Sequence, residues 1–366
     1  MNSAFNGQAA PTANQDSVLP RTAWELPASQ QPGAATVQNP KHRSHFPAIV
    51  HWVATHRVAD GWQIQRRFSN HFNSYRTRNR HLTELVSLGY LARLPFRALT
   101  PNHHIYAATT KGLRHVRDTF GEEFAIGLRS EEELAKERTW WHLRHELGLT
   151  EFALARELTI ASRSDLELLM TLRRHDDAET RLCFRDRGEL STLEPDDQFV
   201  FRQPTTGQIV SCFVELDHGT ATASRVGDKM RAYDQWAQSA AGHEYLQEVF
   251  ATFGTDKRPN FRLLFVVRDV QSGQDNRRLS HLFAEALMLS SIMRDRIWLT
   301  TVSELLQFQY DESPLDHRLW YRVRHNRCQP NCSFDRKKDD IACRREVAAE
   351  QLAALSRVSL FPQPVC

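Results

Sequence analysis

Three acidic residues sit where two apolar runs end. Pro195-Asp196 opens the run through Gln198–Gln203, and Glu215 and Asp217 close the run Ile209-Val-Ser-Cys-Phe-Val-Glu-Leu-Asp217. Side chains alternate along a strand, so Glu215 and Asp217 share a face, beside Asp196 from the neighbouring strand of a hairpin. Carboxylates held that closely repel one another, and one of them must be protonated, solvated or bound to a cation. A divalent metal would satisfy all three, since hard cations take carboxylate oxygens. A cation can also reach the strand end from outside it: the helix carrying Asp228-Lys-Met-Arg-Ala-Tyr233 follows directly and can bring the Lys229 ammonium back over it. Arg225 and Arg231 are alternatives. An ion pair between Lys229 and Asp217 in a site without chemistry is the competing expectation.

A second group of residues has the opposite charge. Between Lys41 and Arg117 there are 13 Lys or Arg against two acids, a net +11, which leaves −8 for the rest of a chain whose net charge is +3. That excess is the footprint of a surface that displaces counterions from phosphates, or else a solvated basic face. The elements that must position it are legible. Phe46, Ile49, Val50 and Val53 form one helical face, Asp60 is placed to cap a short helix with Trp62, Ile64 and Phe68, and a third helix runs from Ser74 to Gly89. A strand at Gly89–Leu94, a polar turn and a strand from Ile105 then make a hairpin, and a helix starts at Thr110. The motifs Leu85-Val-x-x-Leu-Gly-Tyr-Leu-x-Arg and Ile105-Tyr-x-x-Thr-x-Lys-Gly112 resemble the third helix, wing and exit of bacterial winged-helix DNA-binding domains. The resemblance implies that Ser74, Arg76, Thr77 and Arg80 face the major groove, with Arg66, Arg67, Arg97, His103 and His104 approaching the backbone.

Past residue 147 the pattern predicts a helix over Leu149–Ile160, strands over Thr180–Phe184, Gln198–Gln203 and Gln208–Leu216, a helix over Arg225–Trp236 and a buried strand over Phe261–Val267, with a helix near Leu279–Met293 and a strand at Ile297–Thr300. This α-β-β-β-α-β order, with Pro195-Asp196 and Glu215, resembles the PD-(D/E)xK nuclease superfamily. The resemblance implies Mg2+ or Mn2+ held by Asp196 and Glu215, water activated for attack on a phosphodiester, and Asp217 standing where a lysine is usual. Glu151 or Glu157 on the first helix would be a further ligand or a surface residue. Both halves together, with Phe213-Val-Glu-Leu-Asp-x-Gly-Thr220 and the Lys-x-x-x-Tyr helix, resemble the replication-relaxation proteins of plasmid replication and mobilisation, whose pattern carries Glu-x-Asp.

The length exceeds what one core usually supports, so two globular units with tails are expected: a disordered tail over 1–43, a winged helix-turn-helix over 44–120, a helical connection over 121–146, an α/β nuclease-like domain over 147–310 and a basic tail over 311–366. Trp140-Trp141 reads as a packed joint between units. Apolar runs are too short to span a membrane and no signal core opens the chain, which points to the cytoplasm. Six irregularly spaced cysteines do not form a disulfide framework, and Cys183 and Cys212 read as core. In the tail, His325, Cys328, Cys332 and Cys343 have the donor types of a structural Zn2+ site, or are unrelated thiols. The expected partners are double-stranded DNA and relaxase, replication or transposition proteins, and a homodimer is compatible with the sequence. Two functions fit: a DNA-binding protein that nicks DNA, and a regulator or accessory factor whose nuclease-like unit is a docking module.

Overall fold

The computed structural model describes residues 44–97, 104–124, 127–135, 139–173, 181–186, 188–217, 222–254, 260–267, 277–307, 315, 320–322 and 357–358, a mixed α/β chain with three sheets. In the first part, α1 (Phe46–Thr55) leads through β1 (Ala59–Asp60) into α2 (Gly61–Arg67) and α3 (Tyr75–Ser87). Asp60 caps α2 as expected: its side chain accepts from Trp62 N and Gln63 N at 2.8 Å, and the Gln63 side chain returns a bond to Asp60 N. The hairpin of β2 (Leu91–Arg97) and β3 (His104–Ala108) joins β1 in the sheet order β1-β3-β2. Ile49, Val50, Ile64, Leu82 and Leu85 meet Tyr90 and Tyr106 in one core. Gly89, between α3 and β2, has φ +73°, a left-handed turn glycine makes without strain. The Thr-x-Lys-Gly112 motif has a local cause. Thr109 caps α4 (Thr110–Phe120) through Gly112 N, Lys111 donates to Leu88 O, and a Cβ at Gly112 would fall 2.1 Å from the Tyr90 carbonyl oxygen.

After α5 (Glu131–Ala135), α6 runs unbroken from Trp140 to Ala161. The boundary expected at residue 147 therefore falls inside one helix, and that helix serves both cores. Leu154 packs with the α1–α3 residues, whereas Leu149, Phe152 and Ala155 pack on the large sheet. Trp140 packs beside Val58 and Leu143, but Trp141 is 55% exposed, so only one of the pair forms a joint.

The large sheet contains β4 (Glu167–Arg173), β7 (Asp197–Gln203), β8 (Gln208–Asp217), β9 (Phe261–Val267), β10 (Ile297–Thr301), β11 (Trp320–Arg322) and β12 (Arg357–Val358), in the order β12-β11-β10-β9-β8-β7-β4. β4, β7 and β8 pair antiparallel, and β9 is parallel to both β8 and β10. The strands β5 (Leu182–Asp186) and β6 (Glu189–Leu193) form a separate ribbon. The expected first strand of the sheet, Thr180–Phe184, is thus corrected: its place beside β7 belongs to β4. Cys183 is also corrected, because β5 turns Leu182 and Phe184 inward and leaves Cys183 exposed, while Cys212 is buried. One layer of helices, α7 (Ala223–Gln238), α8 (Ala240–Thr252), α9 (Arg277–Leu287) and the turn α10 (Ser291–Arg294), covers one sheet face, while α6 and α11 (Val302–Gln307) cover the other.

Candidate functional site

Asp196 stands immediately before β7, where its backbone N–H donates to Val214 O at 3.0 Å and its carboxylate Oδ2 accepts from Leu216 N at 2.9 Å. The acid thereby occupies the ladder position next to Glu215. The following residue, Asp197, points to the other face, into a buried ion pair with Arg156 of α6 at 2.7 Å. On β8, Glu215 is buried and both its oxygens are engaged by α7. Lys229 Nζ contacts Oε2, and the Tyr233 hydroxyl donates to Oε1 at 2.6 Å. Lys229 and Tyr233 are one helical turn apart, so a single face of α7 delivers both groups to one carboxylate. Lys229 Nζ also lies 3.3 Å from Glu194 O. Capping of α7 by Thr222, which accepts from Arg225 N, fixes where that face starts.

Two further basic side chains complete the surroundings. His145 Nε2 of α6 is 3.4 Å from Asp196 Oδ1, and Arg278 Nε of α9 is 2.5 Å from Asp217 Oδ2. The electrostatics split the acids. Burial opposes ionisation of Asp196, yet His145, the Lys229 ammonium and the Leu216 N–H together hold its carboxyl below the usual carboxylate range. Burial pushes the Glu215 carboxyl up to about 7; repulsion from Asp196 adds to this, against the pull of Lys229 and Tyr233. Two neighbouring carboxyls with affinities for protons driven apart are the arrangement that acid–base and metal centres use. Among the described residues, no three His, Cys, Asp or Glu side chains converge as a ligand set.

The replication-relaxation family model matches residues 50–249, more than half of the chain. The chain belongs to the replication-relaxation family. No curated protein and no solved structure matches it. The matched segment of this replication-relaxation protein begins in α1 and ends in α8, so it holds most of the basic first part together with Asp196, Glu215, Asp217, Lys229 and Tyr233. Arg278 lies beyond it. Among the described residues, no helix is long and apolar enough to cross a membrane.

Of the residues singled out by sequence, the structure brings Asp196, Glu215 and Lys229 together. Asp217 is drawn off to Arg278 rather than to Lys229. Arg231 is engaged by Asp228 and Glu285, and Arg225 is exposed. Glu151 and Glu157 do not join the site as ligands. Glu151 meets Arg66 and Gln63, and Glu157 accepts from Trp52 Nε1, pairs with His56 and holds Arg67 at 2.9 Å. Arg66 is accordingly corrected: buried against Glu151, its guanidinium faces α6 and not an external ligand. Arg67 is likewise turned to α6, though partly exposed. On α3, Ser74 is the N-cap and bonds Thr77, while Arg76 and Arg80 are exposed on the outer face. His104 is exposed at the start of β3. Arg97 ends β2 with its side chain outside the described residues, as are His103 and the His325, Cys328, Cys332 and Cys343 set. Sequence reasoning missed His145 and Arg278, and passed over Tyr233 although the Lys-x-x-x-Tyr spacing carried the signal.

Proposed function

We propose that this chain is a duplex-DNA-binding protein of mobile-element replication or relaxation, in which a winged-helix unit holds DNA and an Asp196–Glu215–Lys229 centre in a PD-(D/E)xK-like unit nicks it. The observation that carries the catalytic half is the Lys229 ammonium on Glu215 beside Asp196, which supplies the positive group that the Glu-x-Asp motif lacks. Three helices followed by a hairpin, with Arg76 and Arg80 exposed on the third, support the binding half. The separate basic and acidic halves of the chain fit delivery of a polyanion to the acids.

The donor set fits a divalent cation through two carboxylates, Asp196 and Glu215. Both are hard oxygen donors, and Mg2+ often takes one or two carboxylates with substrate phosphate and water completing its shell. Bound there, such a cation would polarise a phosphodiester and lower the pKa of a water. The chain's own residues have separate duties. Asp196, held anionic by Leu216 N–H and His145, is a fixed negative anchor, and Tyr233 orients the Glu215 carboxyl. Lys229 is placed to offset charge that develops on a phosphate. Arg278 keeps Asp217 away from that centre. DNA bound along α3 would be positioned through α6, whose contacts reach from Arg66 on α2 to Asp197 on β7.

One observation favours a second reading, in which the same unit is a non-catalytic docking module. Each acid already has a basic side chain beside it: Glu215 has Lys229, Asp217 has Arg278 and Asp196 has His145. Incubation of supercoiled plasmid with the protein and Mg2+ or Mn2+ separates the two. The proposal expects open-circular or relaxed product, lost in Asp196→Ala and in Glu215→Ala and reduced at least ~100-fold in Lys229→Met, the scale on which removal of one charge-stabilising group acts. An inert wild type, or acid variants that keep its activity, leaves the docking reading.

A further inference from the structure

A cleft between α3 and the β2–β3 hairpin belongs to neither the acid centre nor the outer face of α3. Tyr75, Arg78, Asn79, Arg93, His104 and Tyr106 line it. The Tyr75 ring is 53% exposed, a large aromatic face left open on a protein surface. Behind it lies Arg78, 2% exposed, with its guanidinium carbon 4.3 Å from the ring centroid. Its hydrogen bonds go to neutral amide oxygens, Asn79 Oδ1 at 2.9 and 3.1 Å and Gln65 Oε1 at 3.0 Å. The acid nearest it in effect is Asp60, which burial pushes up to about 7 and which caps α2 instead of lining the cleft. Arg93 is exposed on the opposite lip, and its charge favours ionisation of the Tyr106 hydroxyl against the burial that opposes it. Among the described residues no carboxylate lines the cleft, and Arg78 and Arg93 bring positive charge beside two tyrosine rings and a histidine.

That composition suits a ligand with both a π-face and a negative charge. A ring stacked on Tyr75 would lie over an aromatic face already polarised by the Arg78 guanidinium, and a phosphate attached to it would meet Arg93. Within a duplex the faces of a base are covered by its neighbours, and only the edges are open. An unpaired base offers a free face. The geometry points to a subsite for one unpaired nucleotide in this cleft, stacked on Tyr75 with its phosphate on Arg93. The inference rests on the DNA-binding reading of α3 and deepens it: the protein would distinguish distorted or partly melted DNA from a perfect duplex.

Anisotropy titrations of the full chain at one fixed salt concentration test it, with a 20-base-pair duplex and the same duplex carrying a single unpaired thymine. The expected result is about 10-fold tighter binding of the bulged DNA, within the range that one stacked base contributes. Tyr75→Ala should abolish that preference and Tyr75→Phe should keep it. Arg93→Ala should weaken the bulged complex more than the paired one. Tyr75 is exposed, so both variants should retain the wild-type circular dichroism spectrum. Equal affinity of the wild type for the two probes, or a preference that survives Tyr75→Ala, overturns the subsite while leaving duplex binding standing. Failure to bind either probe overturns both.

Discussion

At the scale of single residues, the centre is defined by how Glu215 is held. Its carboxyl is pushed up to about 7 by burial, from an ordinary 4.5, with Tyr233 on one oxygen and Lys229 on the other. Between those pH values the folded chain keeps a proton that the unfolded chain has released. The stabilisation from this group is therefore fully present below pH 4.5 and is lost as pH rises toward 7, an effect of about 1–3 kcal/mol. Asp60, also raised to about 7 by burial, acts in the same direction. Asp196, held low, acts in the opposite direction, but only below the ordinary carboxylate range. The test is thus a difference: urea midpoints at pH 5.0 and 7.5 for the wild type and Glu215→Gln. The variant should lose less stability than the wild type between the two values, whatever its absolute stability. Parallel pH dependences would refute the raised proton affinity. The return of Lys229 over the strand end was legible in the sequence because a strand end leads directly into a helix, but its partner was not: the expected ion pair was with Asp217, and the structure pairs it with Glu215. His145 and Arg278 were not, since only the packing of α6 and α9 brings them to acids remote in the chain.

At the scale of elements, α6 does what no motif announced. Gln63 Nε2 donates to Leu147 O at 3.0 Å, Arg66 is buried on Glu151, and Thr150 Oγ1 donates toward Val58 O at 2.8 Å, all before the helix reaches the large sheet. These contacts make the buried Arg66–Glu151 pair the test of the joint. Glu151→Ala strands a guanidinium in an apolar setting and should cost about 3–5 kcal/mol, whereas the double variant Arg66→Met, Glu151→Met should recover most of that loss. Chemical denaturation of the wild type and the two variants measures it. A single variant as stable as the wild type would show that the pair does not hold α2 to α6. The strongly periodic elements, α1, α3, the hairpin, α7 and β9, could be read from apolar spacing. β4 could not, because Leu168-Leu-Met-Thr-Leu172 directly follows a helix and a short apolar run fits either state. The role of β5 was misread for another reason: pairing partners are set by the whole sheet, and a local alternation does not say which sheet a strand joins.

At the scale of the molecule, the +11 segment and the −8 remainder are parts of one structure tied through α6, and burial decides which cations are available to a ligand. Arg66 and Arg78 are buried and Arg67 is held by Glu157, so much of the formal charge serves the fold. Arg76 and Arg80, exposed one turn apart on α3, remain directed outward. If they meet phosphates, each should release about one counterion, and the slope of log K against log salt should become shallower by about 2 in Arg76→Ala, Arg80→Ala, with affinity lowered ~10-fold or more at low salt. Arg67→Ala should leave the slope where it is, because its guanidinium already has a carboxylate. Anisotropy titrations over a KCl series with one duplex give both slopes. A double variant with the wild-type slope would mean that the outer face of α3 does not touch the DNA backbone, and that the basic excess of the first part is a device of folding and solubility.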